Sequence, residues 1–280
     1  MGIWYSIFHS ITAFCNAGFD LFGTNSFIGF ADNIYINVVL IILMLMGGIG
    51  FFVIEDIITC IKKKSFVHMQ FHTKMVLVTT LVIYFTSVII TKIVEPKLTI
   101  LQTLFICSST RTTGFTTIDL TQVNSLTKLL FSILMMIGGA PASTSGGIKI
   151  TSIAVLTLLV YSTLKEKKEV TVFYKKIDKK TISQAITNIA ISSSVIMIAI
   201  TIFYKIENIG LINVLFMCVS AFSLTGLSVV DVDLLMFIPK VLLMFLMFIG
   251  RVGVISILGI LITDRKENKN VEYVSGNLVI

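Results

Sequence analysis

The chain has 280 residues, of which 55% are hydrophobic and only 13% charged. Soluble domains carry about a quarter charged residues, so an ordinary water-soluble fold is excluded. The net charge of +7 does not indicate nucleic-acid binding, because the basic residues cluster in alternate connections. Lys62, Lys63, Lys64 and Lys74 share one connection, and Lys165, Lys167, Lys168, Lys175, Lys176, Lys179 and Lys180 a second, while Arg265, Lys266 and Lys269 lie in the tail. That alternation predicts a multi-pass membrane protein with these segments, and the C-terminus, on the cytoplasmic side.

In chain order, the apolar stretch 3–14 lacks the basic leader and small-residue cleavage site of a secretory signal. It is also too short to span a bilayer, which takes about 20 residues. Stretches 35–61 and 73–95 are long enough, 99–110 is again a half-span, and 126–163 and 181–205 are long. A third half-span, 210–222, precedes a last long stretch, 236–263. All three half-spans have basic-poor flanks, which predicts re-entrant segments that enter and leave on the outer side. Cys15, Cys60, Cys107 and Cys218 lie in or beside apolar runs and read as packing residues, with no disulfide framework. His68 and His72 are four apart, but Met69 stands where a zinc hydrolase has glutamate, so an interfacial cytoplasmic segment is expected there. Glu55 and Asp56 either neutralise Lys62 to Lys64 or form a cation exit.

The half-spans repeat. Aligned on one glycine they read "FHSITAFCNAGFD", "LFICSSTRTTGFT" and "FMCVSAFSLTGLS", with a hydroxyl (Thr12, Ser108, Ser220) six residues before Gly18, Gly114 and Gly226. The long helices that follow repeat too: "LMGGIG", "MIGGAP" and "FIGRVG" place Gly47–Gly48, Gly138–Gly139 and Gly250–Arg251 at corresponding positions. The pattern predicts an all-α integral membrane protein of helix–pore loop–helix units. Irregular backbone at membrane depth survives only inside protein or against water. A ring of such loops offers carbonyl oxygens that replace the water shell of a cation, and glycine supplies the positive φ that aims them. Asp20, Asp119, Asp231 and Asp233 follow the loops, either as cation-attracting carboxylates at the mouth or as ordinary solvated loop residues.

"GGAPASTSGGIKI", 138–150, interrupts the stretch 126–163, since glycine, proline and hydroxyl residues make a poor helix. Gly147, not lysine, follows Gly146, so the phosphate-binding loop pattern is not met. The segment reads either as a helix kink or, better, as a flexible intramembrane gate formed by Gly138, Gly139, Ala140, Ala142, Ser143, Thr144, Ser145, Gly146 and Gly147. Arg251 lies mid-helix with no acidic residue in helical reach, so it faces either the same cavity as an electrostatic barrier or the gate loop as a tether.

"CNAGFD", "RTTGFTT" and "SLTGLS" resemble the second, third and fourth selectivity filters of the four-repeat Trk/Ktr/HKT potassium transporters, most closely the Ktr-type membrane subunit. "FHTK", "GRVG" and the tail "VEYVSGNLVI" extend the resemblance over essentially the whole chain. It implies a pseudo-fourfold pore with filter residues Asn16, Ala17, Gly18 and Phe19, then Thr112, Thr113, Gly114 and Phe115, then Leu224, Thr225, Gly226 and Leu227. The expected units are 1–64 for the second repeat, 65–168 for the third, 169–263 for the fourth and 264–280 for a cytoplasmic tail. The first repeat and the leading helix of the second are not seen, so about two and a half of four repeats are expected, from an N-terminally incomplete chain. The resemblance further implies potassium uptake across the bacterial inner membrane, with coupling to sodium allowed. Also implied are a homodimer and a cytosolic regulatory ring that carries ATP or ADP. No cofactor is expected in this chain, potassium being cargo, and no catalytic constellation is present, so it is not expected to be an enzyme. A sodium-selective or non-selective channel of the same architecture, or a nonfunctional remnant, is the alternative.

Overall fold

The computed structural model describes residues 2–23, 26–65, 69–167, 169–207 and 209–253. The tail, the end of stretch 236–263, His68 and Lys168 lie outside the described residues. In the first unit, α1 (Gly2–Phe14) leads through a loop into α2 (Ile34–Gly48) and α3 (Phe51–Lys62). The second comprises α4 (Phe71–Val94), the short α5 (Ile100–Ser109), and α6 (Ser125–Met136) and α7 (Ile150–Leu164) on either side of 137–149. The third comprises α8 (Lys179–Ile206), α9 (Leu211–Ser223) and α10 (Phe237–Val252).

Length separates the roles of these helices. The 24 residues of α4 and 28 of α8 reach about 36 and 42 Å, enough to cross about 30 Å of hydrocarbon. The 10 residues of α5 reach only about 15 Å. A capping box fixes where α5 begins, with the Thr99 side chain accepting from Gln102 N–H and Gln102 reaching back to Thr99 N–H. At the same end the buried Glu95 accepts from Asn124 N–H at 3.0 Å and from the Thr127 hydroxyl at 2.8 Å. Its charge thereby stabilises the N-terminus of α6.

Stretch 35–61 is not the single span its composition predicts. The chain turns by 103° between α2 and α3. Gly50 takes φ +86 there, and a Cβ on it would lie 2.7 Å from Pro141 O. Gly253 ends α10 with nearly the same geometry, φ 87 and ψ 134 against 86 and 149 at Gly50. The interruption expected only at 138–150 is therefore shared by the first inner helix, and the described part of α10 ends at Gly253 with the same backbone geometry as Gly50. A second departure is a small hairpin in the lysine-rich connection, where β1 (Thr171–Val172) pairs antiparallel with β2 (Lys175–Lys176). Phe173 and Tyr174 turn it with φ 49 and 59, the left-handed pair that suits a two-residue hairpin turn.

The main core surrounds α9, whose Phe216, Val219 and Phe222 pack with Phe131 and Met135 of α6, Phe203 of α8 and Leu246 of α10. A second cluster joins α1, α2 and α5 through Ala13, Leu40, Met44 and Phe105. Between helices in lipid, such contacts hold through van der Waals packing rather than through exclusion of water. α9 is enclosed, whereas α1 leaves Ile3, Trp4, Ile7 and Ile11 exposed.

Candidate pore-loop site

The short helices α1, α5 and α9 each end in a loop with one backbone design. Two residues before the glycine, Asn16, Thr112 and Leu224 have φ 49, 74 and 61. The glycines Gly18, Gly114 and Gly226 have φ 71, 98 and 83. The residue between, Ala17, Thr113 or Thr225, is not left-handed. Alternating hands turn successive carbonyls toward one side, which a helix or strand does not do. Glycine meets this demand without strain, and the non-glycine residues meet it at a cost of roughly 1–2 kcal/mol each. The turns are held by main-chain bonds, Ala17 N to Thr12 O at 2.9 Å and Thr225 N to Ser220 O at 2.9 Å. Hydroxyls close two of them from behind: Ser109 donates to Phe115 O, and Ser220 to Leu227 O.

The loops sit flank to flank. A Cβ built on Gly18 would lie 2.0 Å from Thr113 O, and one on Gly114 would lie 2.1 Å from Thr225 O. Each glycine thus lies against the carbonyl preceding the next glycine, in chain order. The series stops at Gly226, whose Cβ would meet nothing within 4 Å. The opposite flank is uncovered too. Phe19 is 70% exposed, where its counterparts Phe115 and Leu227 are 0% and 3% exposed. Ala17 is exposed as well, while Thr113 and Thr225 are buried. The three loops thus stand side by side in chain order, with Gly226 at one end of the row and Ala17 and Phe19 at the other left uncovered among the described residues.

Beneath the walls lies the irregular segment 137–149. Ala140 N donates to Gly48 O at 2.9 Å, Phe51 N to Ala142 O at 3.1 Å and Gly138 N to Ile148 O at 2.9 Å. Gly146 is buried under the third wall, where a Cβ would lie 2.8 Å from Ser223 O. Ala142 and Gly147 take φ 56 and 71, Thr144 donates to Gly47 O at 3.1 Å, and Ser143 to Ala140 O at 2.6 Å. Gly139 and Ser145 are buried in the same segment. All the residues expected in a gate are therefore in one packed strap below the loops.

Asn16 joins strap and walls, a role the sequence did not reveal. With its amide oxygen toward the hydroxyls of Thr144 and Ser145, at 3.0 and 3.1 Å, its nitrogen faces the Thr113 hydroxyl at 2.7 Å and Ala13 O at 3.2 Å. One side chain thus contacts its own short helix, the neighbouring wall and the strap. Its position two residues before the glycine was the available signal. Arg251 has a partner that helical reach could not supply: it donates to Thr144 O across 107 positions of sequence. The tether is therefore present, although the arginine is exposed. Lys149 donates to Ser145 O at 2.7 Å. Arg111, which begins the second loop, is 9% exposed, and its Nε has no hydrogen-bond partner among the described residues.

Three of the four carboxylates after the loops have local work. Asp20 accepts from Phe22 N–H and Asp231 from Asp233 N–H. Asp119 accepts from the Thr121 hydroxyl at 2.7 Å, from Thr121 N–H and from Gln122. The Thr121 hydroxyl, then its N–H, hold the Asp119 carboxyl below the usual carboxylate range. Among the described residues no group of three or more His, Cys, Asp or Glu could hold a metal ion. Cys60, Cys107 and Cys218 are buried and free, and Cys15 is free and exposed.

Apolar helices, three of them short and ending in adjacent glycine-hinged loops, define a multi-pass membrane protein of the pore-loop class. The chain belongs to the TrkH family of cation transport proteins, whose family model matches residues 1–273. It is 31% identical to the potassium/sodium uptake protein NtpJ of Enterococcus hirae, over 100% of this chain and 64% of that protein. It is also 31% identical to the Ktr system potassium uptake protein B of Vibrio alginolyticus, over 91% of this chain and 58% of the relative. The fold matches the potassium transporter TrkH from Vibrio parahaemolyticus with a TM-score of 0.74 at 18% identity, covering 92% of this chain and 58% of the other. The chain spans about three-fifths of the length of these proteins.

Proposed function

We propose that the chain forms three of the four walls of a potassium uptake pore and the gate beneath them. The observation that carries this reading is the glycine series, Gly18 on Thr113 O, Gly114 on Thr225 O and Gly226 on open space. A fourth loop of the same kind, with a carbonyl for Gly226 and a glycine for Ala17 O, closes the ring. Peptide oxygens of Asn16 to Phe19, Thr112 to Phe115 and Leu224 to Leu227 then replace water around a dehydrated cation. The ends of α1, α5 and α9 add the negative pole of their dipoles. Membrane potential drives potassium inward, sodium coupling is compatible with the name NtpJ carries, and the strap 137–149 with Arg251 limits flow below the filter.

In this reading the lysine-rich connections face the cytoplasm, the membrane is the bacterial inner membrane, and the C-terminus is cytoplasmic. The functional assembly is a homodimer on a cytosolic ring that binds ATP or ADP, and the chain itself carries no cofactor. The relatives named as part of a Ktr system support a multi-component assembly.

Rubidium flux into liposomes tests the pore. The 280 residues alone are expected to give no potassium-selective flux and no rescue of a potassium-uptake-deficient cell, whereas supplying a fourth glycine-ended pore loop restores both. Equal sodium and rubidium flux in the completed protein would instead favour a non-selective channel. Robust rescue by the chain alone would refute the three-wall geometry as the working form.

A further inference from the structure

Away from the ion path, the end of α7, the β1–β2 hairpin and the start of α8 enclose a cavity of about 600 Å³. Its lining has two characters. The basic Lys167, Lys176 and Lys179 and the apolar Leu159, Ile182 and Ile186 all line it. On α8 the order is fixed by the helix: Lys179 is its first residue, and Ile186 lies about 10 Å further along the axis. Among the described residues Glu169 is the one carboxylate in the lining, and it pairs with Lys176. Among the described residues Lys167 and Lys179 have no acidic partner, and the Lys167 ammonium lies 5.6 Å from the centre of the Tyr161 ring.

The depth of the cavity follows from helix length. The 28 residues of α8 exceed about 30 Å of hydrocarbon by roughly eight residues. The projecting end is the first one, because Lys179, Lys180, Ser183, Gln184, Thr187 and Asn188 precede the apolar run 195–203. Positions 179–186 therefore lie at headgroup depth on the lysine-rich side, cytoplasmic in the proposed orientation. The hairpin tip exposes Phe173 and Tyr174 at the same end, a common pairing of aromatic and basic residues at a membrane interface.

We propose that this cavity binds the headgroup of an anionic phospholipid from the cytoplasmic leaflet. Its phosphate would sit against Lys167 and Lys179, with the first acyl methylenes along Leu159, Ile182 and Ile186. A soluble phosphate would use the lysines equally well but has nothing to place on the apolar part.

The test is lipid retention by the full chain in native mass spectrometry, offering phosphatidylglycerol and phosphatidylcholine with identical acyl chains. One phosphatidylglycerol per chain is expected to remain, and phosphatidylcholine to be lost. The triple variant Lys167→Gln, Lys176→Gln, Lys179→Gln should retain phosphatidylglycerol about 25-fold less well, about fivefold for each of the two unpaired lysines. The matching Lys→Arg triple should retain it as the parent does, which separates charge from misfolding. Lys62→Gln, Lys63→Gln, Lys64→Gln, at the other described lysine cluster, should also behave as the parent. Equal retention of both lipids, or undiminished retention by the first triple, would overturn the proposal. So would equal loss in the Lys62 to Lys64 triple, which would show general surface charge. Displacement of the lipid by glycerol phosphate at matched concentration would assign the cavity to soluble anions instead.

Discussion

Gly114 and Gly226 occupy the same place in their loops, yet their surroundings make opposite demands. At Gly114 an alanine Cβ would lie 2.1 Å from Thr225 O, and φ 98 is itself unfavourable for alanine. Gly114→Ala should therefore destabilise the chain by more than about 3 kcal/mol, strain and clash together. Gly226→Ala meets only the strain of φ 83, about 1–2 kcal/mol. Thermal unfolding of the two variants in detergent checks the difference. Equal losses would mean that Gly226 is already covered. The glycines themselves were legible from sequence, because the repeat isolates them. The left-handed Asn16, Thr112 and Leu224 were not, since no residue type common to the three marks that position.

Among elements, the strap 137–149 carries the clearest prediction. It is held by backbone bonds to Gly47, Gly48 and Phe51, by Asn16, and by Arg251 on Thr144 O. Removing residues 139–147 from a protein with all four walls should raise rubidium flux by about an order of magnitude or more, each 1.4 kcal/mol taken from a barrier being worth tenfold. Arg251→Gln removes the tether and the positive charge but leaves the strap in place, and should raise flux in the same direction by less, without lowering the amount of folded protein. Unchanged flux in both would show that the strap is structural packing and not a gate. The broken segment was visible as a cluster of glycine, proline and hydroxyls. The bend at Gly50 was hidden, because a glycine between long apolar runs is compatible with a continuous membrane helix and the 103° turn is set by the strap packed against it.

At the scale of the molecule, coverage is unequal around the centre. Cys15 is exposed, whereas its counterparts Arg111 and Ser223 are buried, as are Cys60, Cys107 and Cys218. A membrane-permeable maleimide should modify Cys15 at least about tenfold faster than the other three cysteines, since exposure governs access to the thiol. Seating a fourth loop should slow that reaction, and labelling that stays fast in the completed protein would place the added loop elsewhere.

Sequence alone determined the membrane class, the half-spans and the threefold glycine repeat, because hydropathy, element length and the conformational freedom of glycine are local properties. Tertiary structure decided what no local rule contains: which carbonyl each glycine meets, which backbone Arg251 reaches, and where the ring stays open. Those are contacts between residues about a hundred positions apart, and only packing brings them together.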